Sequence, residues 1–263
     1  MIIDFHVHCF PDALAEKAIP ALAACAGTAP YLNGKVGELL HSMDLAGIDC
    51  SVIQNIATRP SQTAKVNQWA RETQGDRVLA FGSIHPKCED WMDEMEAMVR
   101  GGLKGMKFHP DYQEFYADDP SLFPLYEKAR EYGLILLFHA GVDIGLPGPV
   151  HAGPERLRHV ADAFPGARIV AAHMGGYAMW DETEACLAGS SVYLDTSYCL
   201  GHIHPSQFER IIRKHGADKI LFGTDSPWTD QAEEIRRLKE LSLAGAEWNA
   251  IMGENARKLL GIS

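Results

Sequence analysis

The sequence predicts an α/β protein folded as a (β/α)8 TIM barrel. Three observations carry that expectation. Eight short apolar, β-branched runs recur along 263 residues. Stretches of helical periodicity separate them, the signature of successive βα units around a parallel sheet. Several of the runs end in histidine or aspartate. A doubly wound open sheet uses the same alternation. Only a closed barrel, however, gathers the carboxyl end of every strand around one axis.

In chain order, strands are expected at Ile2–His6, Ser51–Asn55, Leu79–Ile84, Gly105–His109, Leu134–His139, Arg168–His173, Val192–Thr196 and Ile220–Thr224. Helices are expected between and after them. Val36–Leu45 stops at Gly47, Ser61–Thr73 follows Pro60, and Asp90–Arg100 runs into Gly101-Gly102. Ser121–Tyr132 stops at Gly133, and Pro154–Phe164 opens on proline and ends before Pro165-Gly166. Glu182–Leu187, Pro205–His215, Gln231–Leu241 and Gly245–Leu260 complete the set. These starts and stops follow the usual preferences for proline at the first turn and glycine past the last. Phe10–Val36, Asp111–Pro120 and Asp143–Gly153 read as loops that shape a substrate site, and residues 1–263 read as one domain.

Composition narrows the function. The apolar share of 46% and charged share of 22% are those of an ordinary globular chain. A net charge of −11 gives no global reason to bind nucleic acid or anionic lipid. No stretch approaches the ~18 apolar residues of a membrane span, and the opening MIIDFHVHCF lacks the features of a signal peptide. Six scattered cysteines without a Cys-x-x-Cys pair read as reduced thiols in a cytoplasmic protein. The expected partner is therefore a small-molecule substrate, with no role for nucleic acid or membrane.

The chemistry stands at strand ends. In an extended Asp4-Phe5-His6-Val7-His8, alternation puts His6 and His8 on one face, with Asp4 one step deeper. Strands five, six and eight end in His139, His173 and Asp225. One histidine at a strand end is most often a hydrogen-bonded structural group. Five such groups at the same ends of oily strands are hard to explain singly. Three imidazoles and a carboxylate would supply four ligands to a divalent cation, at ~2.0–2.1 Å from each nitrogen for zinc.

Further positions have both a bland and a functional reading. His85 and His109 repeat a strand-His-Pro turn; loop anchoring suits His85, substrate contact suits His109. His202 and His204 repeat the His-x-His spelling in what reads as a loop and helix cap. Asp195 is a buried acid or a satisfied barrel polar group. Arg59 follows strand two and could clamp a substrate carboxylate. Trp180 and Trp228 could wall an aromatic substrate or pack the rim.

The segments Ile-Asp-Phe-His6-Val-His8, Phe138-His139-Ala, Ala172-His173-Met-Gly-Gly and Leu-Phe-Gly-Thr-Asp225-Ser-Pro-Trp together resemble the amidohydrolase superfamily. More narrowly they resemble its "amidohydrolase 2" branch, which includes aminocarboxymuconate semialdehyde decarboxylase. The closing segment from Met252 to Gly261 is similar to that branch as well. The resemblance implies one divalent ion, zinc before manganese, iron or cobalt, held by His6, His8, His139 and Asp225. It implies catalytic roles for Asp225, as proton carrier, and for His173, which orients water or polarises a carbonyl. His109, Arg59 and Trp228 are the expected substrate contacts. In two-metal relatives a carboxylated lysine or a glutamate bridges the ions. Lys107 could do so here, but is also readable as a partner for a buried acid such as Asp4 or as a plain interior residue. A homodimer is implied by resemblance alone.

Two reactions suit this constellation. A metal-activated water could attack a C–N or C–O acyl bond of a cyclic amide, lactone or ester. Alternatively, the site could remove CO2 from an unsaturated or aromatic acid. The second needs a cationic clamp for which only Arg59 stands out, so hydrolysis is the first expectation. A non-catalytic metal-binding protein is a third reading.

Overall fold

β-Branched and aromatic residues concentrate in the expected runs, and each run becomes a strand in the computed structural model, which describes residues 1–146 and 148–262. The strands are β1 (Ile3–Val7), β2 (Cys50–Gln54), β3 (Val78–Phe81), β4 (Gly105–Phe108), β5 (Ile135–Phe138), β6 (Arg168–Ala171), β7 (Tyr193–Asp195) and β8 (Ile220–Leu221). Neighbours in the chain pair in parallel, in the orders β1-β2-β3 and β4-β5-β6-β7-β8. Backbone hydrogen bonds join these two arcs. At one seam Gly82 N–H donates to Gly105 O at 3.0 Å and Lys107 N–H to Gly82 O at 2.9 Å. At the other, Phe5 N–H donates to Phe222 O at 2.8 Å and Asp225 N–H to His6 O at 2.8 Å. The result is a TIM barrel of eight strands.

Alternation sorts the side chains. Ile3, Phe5, Val52, Phe81, Leu137 and Val170 pack inside the barrel. Val7, Ile53, Met106, Phe108, Leu136 and Phe138 pack between strands and helices. The last helix, Asn255–Leu260, sends Ala256, Leu259 and Leu260 into the inner cluster. It lies by the start of β1, where a Cβ on Gly253 would meet Met1 O at 2.3 Å.

β1 departs from strict alternation. Its pairing with β2 shifts register between Asp4 and Val7, which adds a residue to one strand and re-aims the side chains beyond it. Asp4 therefore does not share a face with His6 and His8 as expected. Its carboxylate accepts from Thr224 N–H at 3.0 Å, Thr224 Oγ1–H at 2.6 Å and Gln231 Nε2–H at 2.7 Å.

β6 and β8 are shorter than expected, and the residues past them leave the ladder in left-handed conformations. φ is 57° at His173, 53° at Met174 and 70° at Asp225. Such backbone costs ~1–3 kcal/mol per residue and persists where surroundings over-determine it.

Most helices fall as expected: Val36–Ala46, Thr63–Thr73, Trp91–Arg100, Phe123–Glu131, Pro154–Ala163, Pro205–His215 and Gln231–Lys239. The segment after Trp180 is one short turn, Trp180–Glu182, followed by a wider π-type turn, Thr183–Leu187. Helical structure over Gly245–Leu260 is likewise interrupted by a π-type turn at Ala250–Glu254. One expectation fails outright. Phe10–Val36, read as a loop, contains a 15-residue helix, Asp12–Ala26, with Pro20 inside it. A proline in a helix interior removes a hydrogen bond and argues against a helix, but alanines and the burial of Ala15 and Ile19 sustain this one. A short helix, Pro110–Gln113, also lies in the expected loop Asp111–Pro120. All six cysteines are free. Among the described residues no helix is long and apolar enough to cross a membrane.

Candidate active site

The β8–β1 seam sets the first group of functional side chains. Because Asp225 N–H bonds His6 O, the Asp225 carboxylate rises beside both histidines of β1 and the residue after it. Asp225 Oδ1 lies 3.4 Å from His6 Nε2 and 3.2 Å from His8 Nε2. It has hydrogen-bond geometry to neither, so this buried oxygen has no hydrogen-bond partner among the described residues. A side chain at position 223 would block the arrangement, since a Cβ there would sit 2.9 Å from His6 Cβ; the residue is glycine.

Each ring is fixed by its other nitrogen. His8 Nδ1 donates to Gln54 O at 2.9 Å, which leaves Nε2 with its lone pair. His6 Nδ1 lies 2.8 Å from Asp195 Oδ2. Asp195, fully buried, also accepts from the backbone N–H of His173 at 3.0 Å and of Ser197 at 3.1 Å. It thus couples the His6 ring to the turn that carries His173. A carboxylate behind an imidazole is the usual arrangement for a ligand histidine.

The second group is His109, His139 and Asp143. Asp143 Oδ2 lies 3.0 Å from His109 Nε2 and 4.0 Å from His139 Nε2. The two rings stack at 4.1 Å with 12° between planes. His173 Nδ1 lies 2.9 Å from Ser197 O and donates to it, so His173 Nε2 accepts from His139 Nδ1 at 3.1 Å. His139 Nε2 is then a free lone pair, buried and without a partner among the described residues.

Both groups bring donor atoms within 4.8 Å of one another, but their geometry differs. An imidazole donates in its own plane. Rings stacked 4.1 Å apart keep their nitrogens in nearly parallel planes, so an ion in the plane of one lies well off the plane of the other, whereas the His6 and His8 planes meet at 67°. The first group fits a divalent cation: two imidazoles and one carboxylate whose Oδ1 has no hydrogen-bond partner among the described residues. His139, expected as the fourth member, stands in the second group with its orphaned nitrogen.

Electrostatics agree with neutral rings and ionised acids. Burial, then the nearby Lys107 ammonium, pushes His6 down to about 3. Burial and the neighbouring imidazoles hold His139 well below its ordinary value. Burial favours a protonated Asp225, but His8 and His6 outweigh it and keep the carboxyl below its usual range. For Asp195, burial is likewise outweighed by His6. Lys107 is lowered to about 8 by burial, with Asp195, Asp225 and Asp143 opposing. Its Nζ lies 3.2 Å from His6 Nε2. The acids facing Lys107 are thus those of the site rather than Asp4.

Above these groups opens a cavity of about 580 Å³. His8, Lys107, His109, His139, His173 and Asp225 face it, and Phe10, Trp69, Tyr112, Tyr177, Tyr198 and Trp228 are among its aromatic walls. Trp228 and His109, expected as substrate contacts, line it. Arg59 does not: it is exposed and off the cavity, because the chain turns at Pro60, where Arg59 N–H bonds Gln62 Oε1. Lys65 is the cation that reaches the wall from that side. Trp180 lies outside the cavity lining, its Nε1 donating to His173 O at 3.1 Å. His85 accepts from Lys87 N–H at 3.1 Å, a loop anchor. His204 caps the helix Pro205–His215, and His202 stacks on Tyr198 at 4.9 Å. Asp143, Ser197 and the three tyrosines escape the sequence reading. Asp143 alone carries a signal, four residues past the strand-end His139.

The family model for amidohydrolases, Amidohydro_2, matches residues 3–262. None of the curated proteins matches the chain. Several solved structures do. An uncharacterized TIM-barrel protein from Bordetella bronchiseptica is 20% identical, with 99% of this chain and 98% of that one covered and a TM-score of 0.76. A 2,6-dihydroxybenzoate decarboxylase from Rhizobium is 20% identical over 99% and 98% of the two chains, with a TM-score of 0.72. A 5-carboxyvanillate decarboxylase from Novosphingobium aromaticivorans, complexed with manganese and 4-hydroxy-3-methoxy-5-nitrobenzoic acid, is 16% identical over 100% and 96%, with a TM-score of 0.77. At such identities the likeness is one of fold.

Proposed function

The chain belongs to the amidohydrolase family, and on that premise we propose that it is a metal-dependent, non-oxidative decarboxylase of an aromatic carboxylic acid. The observation that carries this reading is the cavity: aromatic side chains from several loops and helices wall a space of about 580 Å³ over the histidine–aspartate floor. Flat π-faces suit a flat aromatic ring. The Rhizobium and Novosphingobium decarboxylases of the same fold support the choice. Hydrolysis led at the level of sequence because a carboxylate clamp was wanting. Lys107, buried in the floor at 1% exposure, answers that need in place of Arg59.

A divalent cation held by His6, His8 and Asp225, with His139 as fourth ligand, would supply positive charge to the carboxylate and hydroxyl oxygens of the substrate. Manganese is the first ion to test and zinc the second, since an N/O donor set accepts either. The chain's own groups do the rest. Lys107 pairs with substrate charge, and the aromatic walls exclude water and fix the ring plane. The other carboxylate oxygen, Asp225 Oδ2, takes the proton of an ortho hydroxyl and returns it to the ring carbon bearing the carboxylate. The carbon–carbon bond then breaks, its electron pair restores the aromatic ring, and CO2 leaves. His173, anchored through Asp195 and Ser197, positions His139 through its Nε2 contact.

Purified protein supplied with Mn2+ should release CO2 and the matching phenol in equal amounts from a panel of hydroxybenzoates, and lose that activity on chelation. Hydrolysis of lactones or aryl esters with no CO2 from any acid would overturn the proposal in favour of acyl-bond hydrolysis.

A further inference from the structure

A cavity of about 580 Å³ is far larger than one aromatic ring needs; about 150 Å³ suffices to hold benzene. The surplus is apolar. The helix Asp12–Ala26 presents Leu14, Ala18, Leu22 and Ala26 along the cavity at four-residue spacing, while Ala15 and Ile19 anchor its other face. Val66 and Trp69 come from the helix Thr63–Thr73, and Val142 and Ile144 from the loop after β5. These walls include apolar side chains left open to solvent: Leu14 is 50% exposed, Ile144 44% and Val142 37%. Three separate segments thus present oil to one mouth, an arrangement that a ligand would cover. Lys65 and Asp143 are the charged residues on these walls beyond the floor groups.

From this we infer that the substrate carries an uncharged apolar substituent, an alkyl chain or a second ring, which lies between the helix Asp12–Ala26 and the Val142–Ile144 loop. The inference rests on the decarboxylase reading for the head of the molecule but not for its tail. Leu22 and Ile144 are the specificity-determining residues, because they contact the substituent and touch no reacting atom.

Two ladders test it on the Mn2+-supplied protein. In the first, calorimetry compares the unreactive probe 2-nitroresorcinol with its 5-ethyl and 5-butyl derivatives. In the second, turnover is compared for phenyl acetate and its 4-ethyl and 4-butyl derivatives. The 5-butyl probe should bind at least about tenfold more tightly than the parent, as expected for methylenes entering an apolar pocket. Leu22→Asn and Ile144→Asn should each flatten the ladder through binding or KM rather than kcat. Ile144 is 44% exposed and in a loop, so that variant should melt within a few degrees of wild type. Equal or weaker binding along the nitroresorcinol ladder, with turnover flat along the esters, overturns the inference. A ladder in ester turnover alone keeps the apolar tail and rejects the decarboxylase head. Failure of every probe to bind or react overturns both.

Discussion

The barrel mouth holds two groups of identical composition, each with two histidines and one aspartate, and they differ in how their rings are set. On the β8–β1 side, His6 and His8 belong to one strand and its exit, their rings cross at 67°, and the carboxylate oxygen between them has no hydrogen-bond partner among the described residues. On the β4–β5 side, His109 and His139 come from neighbouring strands. Neighbouring strands hold side chains in parallel at about 4.7–4.9 Å, so the rings stack, and Asp143 closes on His109 at 3.0 Å. Residue type nominates both groups as candidate metal sites, and ring orientation distinguishes them. Lys107 and His173 stand between the two groups and tie them electrostatically.

The largest effects should come from breaking the converging group. Asp225→Asn should lower kcat by ~10³-fold or more, since it removes both a ligand and the proton carrier. Elemental analysis should find the divalent ion reduced in the same protein. Unchanged metal content and turnover would mean that the cluster is not the centre. Chelation of the wild type should abolish turnover, and added Mn2+ should restore it.

A sharper contrast comes from the stacked group. Asp143→Asn should cost roughly tenfold in kcat/KM, within the range for loss of a positioned polar partner, with metal stoichiometry intact. Loss of the ion from this variant would show that the stacked rings rearrange to ligate it. Smaller still is the effect expected at the rim. Arg59→Ala should leave kcat/KM within about twofold of wild type, as for an exposed residue off the cavity.

The smallest effect lies behind the site and calibrates the others. Glu234 is raised to about 8 by burial, with Arg237 opposing. A raised carboxyl makes the folded state bind more protons than the unfolded chain between the ordinary value of 4.5 and about 8. Stability should therefore fall as pH rises through that window and level off above it. Glu234→Gln should reduce the drop in Tm between pH 6 and pH 8 by ~2–5 °C, measured by thermal melts. An identical drop in the variant would assign it to other groups.

The strand-end rule made the floor of the site legible. His6, His8, His139, His173 and Asp225 each follow an apolar run, and barrel closure brings them together. The rule also had defined failures. Alternation assigned Asp4 to the histidine face, and a register shift in β1, which leaves no mark in residue types, moved it under Gln231. Pro20 hid the helix Asp12–Ala26, because local propensity opposes what tertiary burial of Ala15 and Ile19 supports. Arg59 was chosen for its charge, but the Pro60 turn sends it outward. Asp143 could have been found by extending the same rule a few residues into the loop. The ring-plane difference between the two groups could not, since it depends on strand adjacency rather than on spacing.

The left-handed backbone at His173 and Asp225 sets backbone relief against side-chain contacts at the same two positions. Glycine would adopt φ near 57° or 70° without a Cβ penalty, yet it gives the unfolded chain more freedom to lose. At position 173 it would also strip His139 Nδ1 of its partner at 3.1 Å, so the left-handed turn is held by what the imidazole touches and not by its backbone.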